Sequence, residues 1–488
     1  MTTLAHLEPT SVWTAFEELN AVPRPSKREE QVQAFAVAVG KSLGLPTDKD
    51  AVGNVRITKP ASPGMENAPT VVIQAHLDMV CQQNEGTGHD FDREGIAMFI
   101  EGGWVKARGT TLGADNGIGV AFAIATLRSK DLIHPAIEVL FTSDEETGMT
   151  GALGLQPGWI QGKYLLNIDT EDDQELTIGC AGGIDVTALG QAAYRPAPVE
   201  EPQAYTVTIK GLTGGHSGMD IHVGRANANL LMVRLLRELE REACVLVHRV
   251  EGGNLRNAIP RECQATVIMG AAHADLLRTS FAWLSAELFR EHATTDPHME
   301  CVLTDLGSTT LEVLAAGAQQ ALLQAISACP AGILRMNPDV PGLVQTSNNV
   351  AKLKIHPEGV EVLCLTRSSA ESEKMDAAHR IAGVLNLAGL TTTFAGSYPG
   401  WEPAPGGTLA SLMRETYVDL FSEEPHVNAC HAGLECGIIG ERCPGMEMIS
   451  FGPNIRGAHS PDERVEIASV QKSWTYFVEV LERLARLN

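Results

Sequence analysis

The chain of 488 residues sets 60 Asp and Glu against 37 Lys and Arg, a formal net charge of −23 at pH 7. That field repels polyanions and no basic stripe offsets it, so nucleic-acid binding is excluded. The length suffices for two or three domains around a large core, and no apolar run approaches the roughly 20 residues that span a bilayer.

The opening stretch MTTLAHLEPTSVW lacks a basic segment followed by an apolar one, so no secretion signal is expected. Residues 11–45 read as helix: SVWTAFEELNAV is amphipathic, PRPS breaks it, and KREEQVQAFAVAVGKSLGL resumes it. AVGNVRITK and TVVIQAHLDMV, rich in Val and Ile, read as strands. GIGVAFAIATLRS then reads as a helix, AIEVLFTS as a strand, and KYLLNIDTED as a strand ending in acids. Strands alternating with helices predict an α/β fold, a mainly parallel sheet flanked by helices. Ligands bind such sheets at the carboxyl ends of the strands. The strands expected at 71–76, 136–142 and 163–168 all end in polar residues.

From about residue 186 the texture changes. AYTVTIKGLTGGHSG and RECQATVIMG read as strands, each followed by a long helix, and NVAKLKIHPEGVEVLCLTRSS reads as a hairpin followed by another helix. These segments predict a two-lobed α+β domain over 186–396, inserted into a discontinuous domain of residues 1–185 and 397–488. The ten cysteines contain no Cys-x-x-Cys pair and read as reduced thiols of a cytoplasmic protein. Cys430, His431, Cys436 and Cys443 lie close in sequence, but their spacing matches no zinc finger or ribbon.

The polar residues at the expected strand ends form a set. AHLD supplies His76 and Asp78, GADNG supplies Asp115, SDEETG supplies Glu145 and Glu146, NIDTED supplies Asp169, and GAHSPDE supplies His459. Imidazole and carboxylate are the ligands that suit Zn²⁺, Co²⁺ or Mn²⁺. Two dications sharing a bridging carboxylate would also explain why Glu145 and Glu146 stand side by side, since like charges repel without a cation among them. Each residue alone has an ordinary explanation. Asp115 can cap the following helix, His459 can be a loop residue, and Asp169 has acidic neighbours at Glu171, Asp172 and Asp173. Asp144 is expected either in solvent or as a turn acceptor.

The set resembles the co-catalytic zinc exopeptidases that include glutamate carboxypeptidase, aminoacylase and peptidase T, and within them the branch acting on aminoacyl-histidine dipeptides. QAHLDMVCQ, TLGADNGIG, TSDEETGMTGA, NIDTED, GCAGG, GGHSGMDIH, CLTRSS, HAGLECG and SFGPNIRGAHSPDE carry the likeness from Gln74 through nearly the whole remaining chain. The resemblance implies two divalent ions per chain, zinc first, with cobalt or manganese as substitutes. His76 and Asp169 would hold one ion, Glu146 and His459 the other, and Asp115 would bridge them. Asp78 would orient the His76 ring. Glu145 would be the general base, taking a proton from the bridging water and passing it to the leaving nitrogen.

The inserted domain resembles the family's lid. His216 in GGHSG would donate to the oxyanion, and Arg367 in LTRSS would pair with the substrate's C-terminal carboxylate. Asn257, His431 and Glu435 are expected among the substrate contacts. The implied reaction is hydrolysis of dipeptides, Xaa-His and β-alanyl-histidine included. N-deacylation or aminotripeptide cleavage on the same scaffold is the alternative. A non-catalytic protein that kept the fold would be expected to lose the base or a ligand, and all are present here. The implied partner is a small peptide, with no nucleic acid or membrane; a homodimer is compatible with the sequence.

Overall fold

Four parallel strands form the centre of the first sheet: β1 (Val71–His76), β2 (Ile137–Thr142), β3 (Tyr164–Asn167) and β4 (Glu447–Ser450). This computed structural model describes residues 4–487. The central order is β2-β1-β3-β4, and all three pairings are parallel. Antiparallel neighbours close both flanks, Val55–Lys59 beside β2 and Glu175–Cys180 beside β4. The expectation of a parallel centre thus holds, and the sheet has eight strands with Thr47–Lys49 and His426–Cys430 at its edges.

Every residue of β1, β2 and β3 is buried. Burial on both faces explains why these strands read as mainly apolar runs rather than as an alternating pattern. The helix Ala114–Arg128 is buried almost throughout, consistent with an apolar sequence that has no polar face. Its Phe122 packs in one cluster with Ile73, Phe141, Phe451 and Phe477. Gly113, just before this helix, has φ +71°, a region open to glycine at little cost. A Cβ there would lie 2.4 Å from the Arg24 guanidinium.

The chain divides into two compact units. The first runs to Cys180 and includes Trp401–Ala429 and the chain from Leu434. The second comprises Ala181–Gly400 and the short segment Cys430–Gly433. The second unit is built on a nine-stranded antiparallel sheet. Helices Ala228–Ala243, Ala274–His292, Ala316–Ala328 and Glu371–Leu387 belong to it. The two expected lobes share this one sheet, joined where Leu246–Gly252 pairs with Val344–His356. The hairpin partner of that long strand, Gly359–Ser368, carries Arg367. No helix among the described residues is long and apolar enough to cross a membrane.

Candidate functional site

The carboxyl ends of β1, β2 and β3 bring together residues that lie far apart in sequence. His76 ends β1, and its Nε2 lies 3.1 Å from Asp115 Oδ1 and 3.4 Å from Asp169 Oδ1. His459 Nε2 lies 3.1 Å from Asp115 Oδ2 and 3.0 Å from Glu146 Oε2. Ligand atoms of His76, Asp115 and Asp169 fall within 4.8 Å of one another, as do those of Asp115, Glu146 and His459. Asp115 therefore presents one oxygen to each group. Glu145 joins a further group with His76 and Glu146 within the same distance.

The surrounding residues hold these ligands in place. His76 Nδ1 lies 3.2 Å from the Asp78 carbonyl oxygen and 3.4 Å from Asp78 Oδ1. The same carboxylate accepts the backbone N–H of Glu145 at 3.0 Å, that of Glu146 at 3.2 Å, and the Ser26 hydroxyl at 2.8 Å. One buried acid thus orients the imidazole and also fixes the turn carrying both glutamates. Asn116 Nδ2 donates to Asp169 Oδ1 and to the Ile168 carbonyl. Asp144 is buried, with Thr147 and Thr150 donating to its carboxylate, so of its two expected settings the turn acceptor is observed. Asp144 and His459 both have left-handed backbones, φ +52° and +62°, an uncommon conformation for residues with a Cβ.

Two supporting residues escaped the sequence reading. Glu463 accepts the N–H groups of Leu112, Gly113, Ala114 and Asp115 at 2.7, 2.9, 2.7 and 3.2 Å. These are orphan donors at a helix start, where a carboxylate is favoured. Arg24 is buried and donates to the carbonyls of Leu77, Asp78 and Gly113. Both act through backbone contacts with no local sequence signal, although PRPS and SPDE mark the loops that carry them.

The residues present fit two dications. The donor set contains two imidazoles and at least three carboxylates, one of them shared. Glu146 Oε1 is buried without a hydrogen-bond partner among the described residues, a loss of about 1–3 kcal/mol unless a cation meets it. Burial pushes His76 down, but the carboxylates of Asp169, Asp115 and Asp78 outweigh it and hold the ring well above its usual range. Hydrogen bonds to Asp115 and Glu146 push His459 up to about 11. Without cations, then, the surrounding carboxylates favour protons on both rings. Burial raises Glu145 well above the ordinary carboxylate range; His76 opposes this, while Asp169, Glu435 and Glu146 add to it.

The expected substrate residues separate into two places. His216, Asn257, Arg367 and His431 belong to the second unit. His216 Nδ1 accepts from the backbone N–H of Gly218 at 3.2 Å and of Met219 at 2.9 Å. That assigns the proton of the neutral ring to Nε2. Nε2 lies 3.5 Å from Arg367 Nη2, so two donors converge. Arg367 Nη1 donates to the Tyr398 hydroxyl at 2.8 Å, and its Nε has no hydrogen-bond partner among the described residues. Convergent donors of this kind suit an anionic group.

His431 is buried with Nε2 2.7 Å from Ser347 Oγ. Burial, then Arg367 and His216, push it down to about 3, so it is neutral. Gly218 allows this packing, since a Cβ would lie 2.0 Å from the His431 carbonyl oxygen. Asn257 has an exposed side chain, and its carbonyl accepts the Ser217 N–H at 2.7 Å.

Glu435 departs from the expectation that it faces substrate. It lies in the first unit, 1% exposed, with Oε2 accepting from Thr142 Oγ1 at 2.6 Å and Gln74 Nε2 at 2.7 Å. The Cys430, His431, Cys436 and Cys443 cluster contributes to none of the metal-ligating groups among the described residues.

Known proteins share both this sequence and this fold. The chain is 42% identical over 487 residues to the cytosol non-specific dipeptidase of Escherichia coli (strain K12), covering 99% of each chain. The crystal structure of aminoacylhistidine dipeptidase from Vibrio alginolyticus superposes with a TM-score of 0.94 at 42% identity, covering 99% of this chain and 98% of that one. Aminopeptidase PepT from Bacillus cereus shares the fold at a TM-score of 0.56 and 15% identity, over 98% of this chain and all of that one. The profile of peptidase family M20/M25/M40 matches residues 72–483, and the chain belongs to that family.

Proposed function

We propose that the chain is a metal-dependent dipeptidase that hydrolyses unblocked dipeptides, Xaa-His and β-alanyl-histidine among them. The observation that carries this reading is Asp115, whose two oxygens face His76 and His459 at 3.1 Å each, with one further carboxylate beside each imidazole. The close relatives are named as dipeptidases, one non-specific and one acting on aminoacyl-histidine. A broad preference that includes Xaa-His satisfies both names. The cytosolic setting of the first relative is the one we propose here.

His76 and Asp169 would hold one ion, Glu146 and His459 the second, and Asp115 both; Zn²⁺ best matches imidazole and carboxylate donors, with Co²⁺ or Mn²⁺ as substitutes. Such ions, when bound, supply Lewis acidity that lowers the pKa of water and polarises the scissile carbonyl. Glu145 takes a proton from the attacking water and delivers it to the leaving nitrogen, a task that needs a carboxylate free of metal. Asp78 keeps Glu145 in place through its backbone N–H. His216 and Arg367 are assigned to the substrate's anionic groups: the carbonyl oxygen as charge develops, and the C-terminal carboxylate. Their convergent donors support that assignment.

A hydrolysis panel on metal-loaded protein tests the reading. It should contain β-alanyl-histidine, other Xaa-His dipeptides, dipeptides without histidine, a tripeptide and N-acetyl amino acids. Dipeptides should be cleaved fastest. Preference for N-acetyl amino acids would make the chain a deacylase, and preference for the tripeptide an aminotripeptidase.

A further inference from the structure

Glu435 is a buried acid that the proposed chemistry does not use. It is the first residue of the helix Glu435–Arg442, a position where the helix dipole favours a carboxylate. Its Oε2 accepts from Thr142 and from Gln74, and Gln74 Nε2 also reaches Thr142 Oγ1 at 3.1 Å. Gln74 Oε1 in turn accepts from Asn167 Nδ2 at 2.5 Å. Gln74, Thr142 and Asn167 are each at least 99% buried.

The positions of these partners give the network its meaning. Gln74 precedes His76 by two residues on β1 and so shares its side of the strand. Thr142 ends β2, is the register partner of His76, and leads through two residues into Glu145 and Glu146. Asn167 ends β3, is the register partner of Gln74, and precedes Asp169 by two residues. A single acid from the far end of the chain thus ties together the three strand ends that carry two ion ligands, the base and a further ligand. Backbone bonds carry the pairing one residue past these ends, from the Leu77 N–H to the Thr142 carbonyl and from the Ile168 N–H to the Gln74 carbonyl, and the side chains of Gln74, Thr142 and Asn167 add a second set of links there.

We propose that Glu435 is a positioning residue that fixes the spacing of His76, Glu146 and Asp169 through Gln74, Thr142 and Asn167. Among the described residues its Oε2 accepts from Thr142 and Gln74 alone. The role requires an acceptor at the Oε2 position and no negative charge, because the two groups meeting Oε2 are neutral donors. A glutamine oxygen can accept both bonds, whereas an apolar side chain of similar size removes the nearest acceptor of the Thr142 hydroxyl and the shorter of the two bonds made by Gln74 Nε2.

The inference depends on the two-ion reading for its ligands, and its test separates the two. Zn²⁺ affinity is measured by titration of metal-free protein for wild type, Glu435→Gln, Glu435→Leu and Thr142→Val. The visible spectrum of each Co²⁺-loaded protein reports ligand geometry, and kcat and KM are taken on one dipeptide. Glu435→Gln should bind Zn²⁺ and turn over as wild type does. Glu435→Leu should bind Zn²⁺ about 10–100-fold more weakly, the usual effect of losing an outer partner of a metal site, with an altered Co²⁺ spectrum. Thr142→Val, whose shape is conserved, should move in the same direction if Glu435→Leu does not fold.

Unchanged Zn²⁺ affinity and Co²⁺ spectrum in folded Glu435→Leu, or in Thr142→Val, overturns the inference. So does a loss of kcat in Glu435→Gln equal to that in Glu435→Leu, which would assign the role to the charge. Wild-type protein that binds no Zn²⁺ would instead remove the two-ion reading itself.

Discussion

Asp115 and His459 lie 344 positions apart in the chain, yet Oδ2 of one and Nε2 of the other meet at 3.1 Å. Glu463, four residues beyond His459, secures the encounter by gathering the four N–H groups from Leu112 to Asp115. Glu463→Gln keeps one acceptor and adds an N–H₂ among donors, leaving buried N–H groups unmatched at about 1–3 kcal/mol each. We expect lower thermal stability and weaker binding of the ion proposed to sit between Asp115 and His459. Thermal denaturation and metal titration check both effects.

Glu145 and Glu146 are neighbours with different assignments. Glu145→Gln should retain both ions and lose at least about 10²–10⁴-fold in kcat, the contribution of general acid–base assistance. Glu146→Gln should lose metal affinity first. Metal analysis after dialysis, alongside kcat, separates them; equal loss of metal in both variants would contradict the assignment.

The sequence was most informative where chemistry is local to a strand end. β1, β2 and β3 were legible because burial on both faces gives mainly apolar runs. His76, Glu146 and Asp169 stand close after such runs, whereas Asp115 and His459 entered the set through their motifs, and the structure brings the five side chains near one another. Glu463 and Arg24 were not, because they act on backbone groups whose neighbours no periodicity reveals. Glu435 was flagged by its motif but placed beside substrate, whereas its partners Gln74 and Thr142 look in sequence like ordinary strand residues. Asp144 stands among charges, and only the structure shows two threonines meeting it.

The metal-free protein should be less stable at alkaline pH than the metal-loaded one. Hydrogen bonds to Asp115 and Glu146 push His459 up to about 11, and the neighbouring carboxylates hold His76 well above its usual value against the effect of burial. A raised imidazole pKa stabilises fully below the unfolded value of about 6.5, and the contribution is lost as pH rises through the folded value. Burial first, with other effects, raises Glu171 and Glu435 to about 7, so their contribution is lost as pH rises from about 4.3 towards 7. All four act in the same direction. The Tm of chelator-treated protein should therefore fall more steeply from pH 6 to pH 10 than that of zinc-loaded protein, whose ligands carry no protons. Parallel curves would contradict this.

His216 and Arg367 should differ kinetically. His216→Ala should lower kcat by about 10²–10³-fold, the cost of one lost oxyanion donor, with a smaller change in KM and no change in metal content. Arg367→Ala should chiefly raise KM and weaken discrimination between a free dipeptide and its C-terminal amide. Steady-state kinetics on both substrates, with metal analysis, checks the pair.

The most direct measurement follows dipeptide hydrolysis, with β-alanyl-histidine and a dipeptide lacking histidine, through removal and return of metal. Treatment with a strong chelator should abolish cleavage of both. Adding Zn²⁺, Co²⁺ or Mn²⁺ should restore it, with about two ions per chain at full activity. Undiminished cleavage by protein shown to be free of metal, or no dipeptide cleavage by protein holding two ions, would contradict the account.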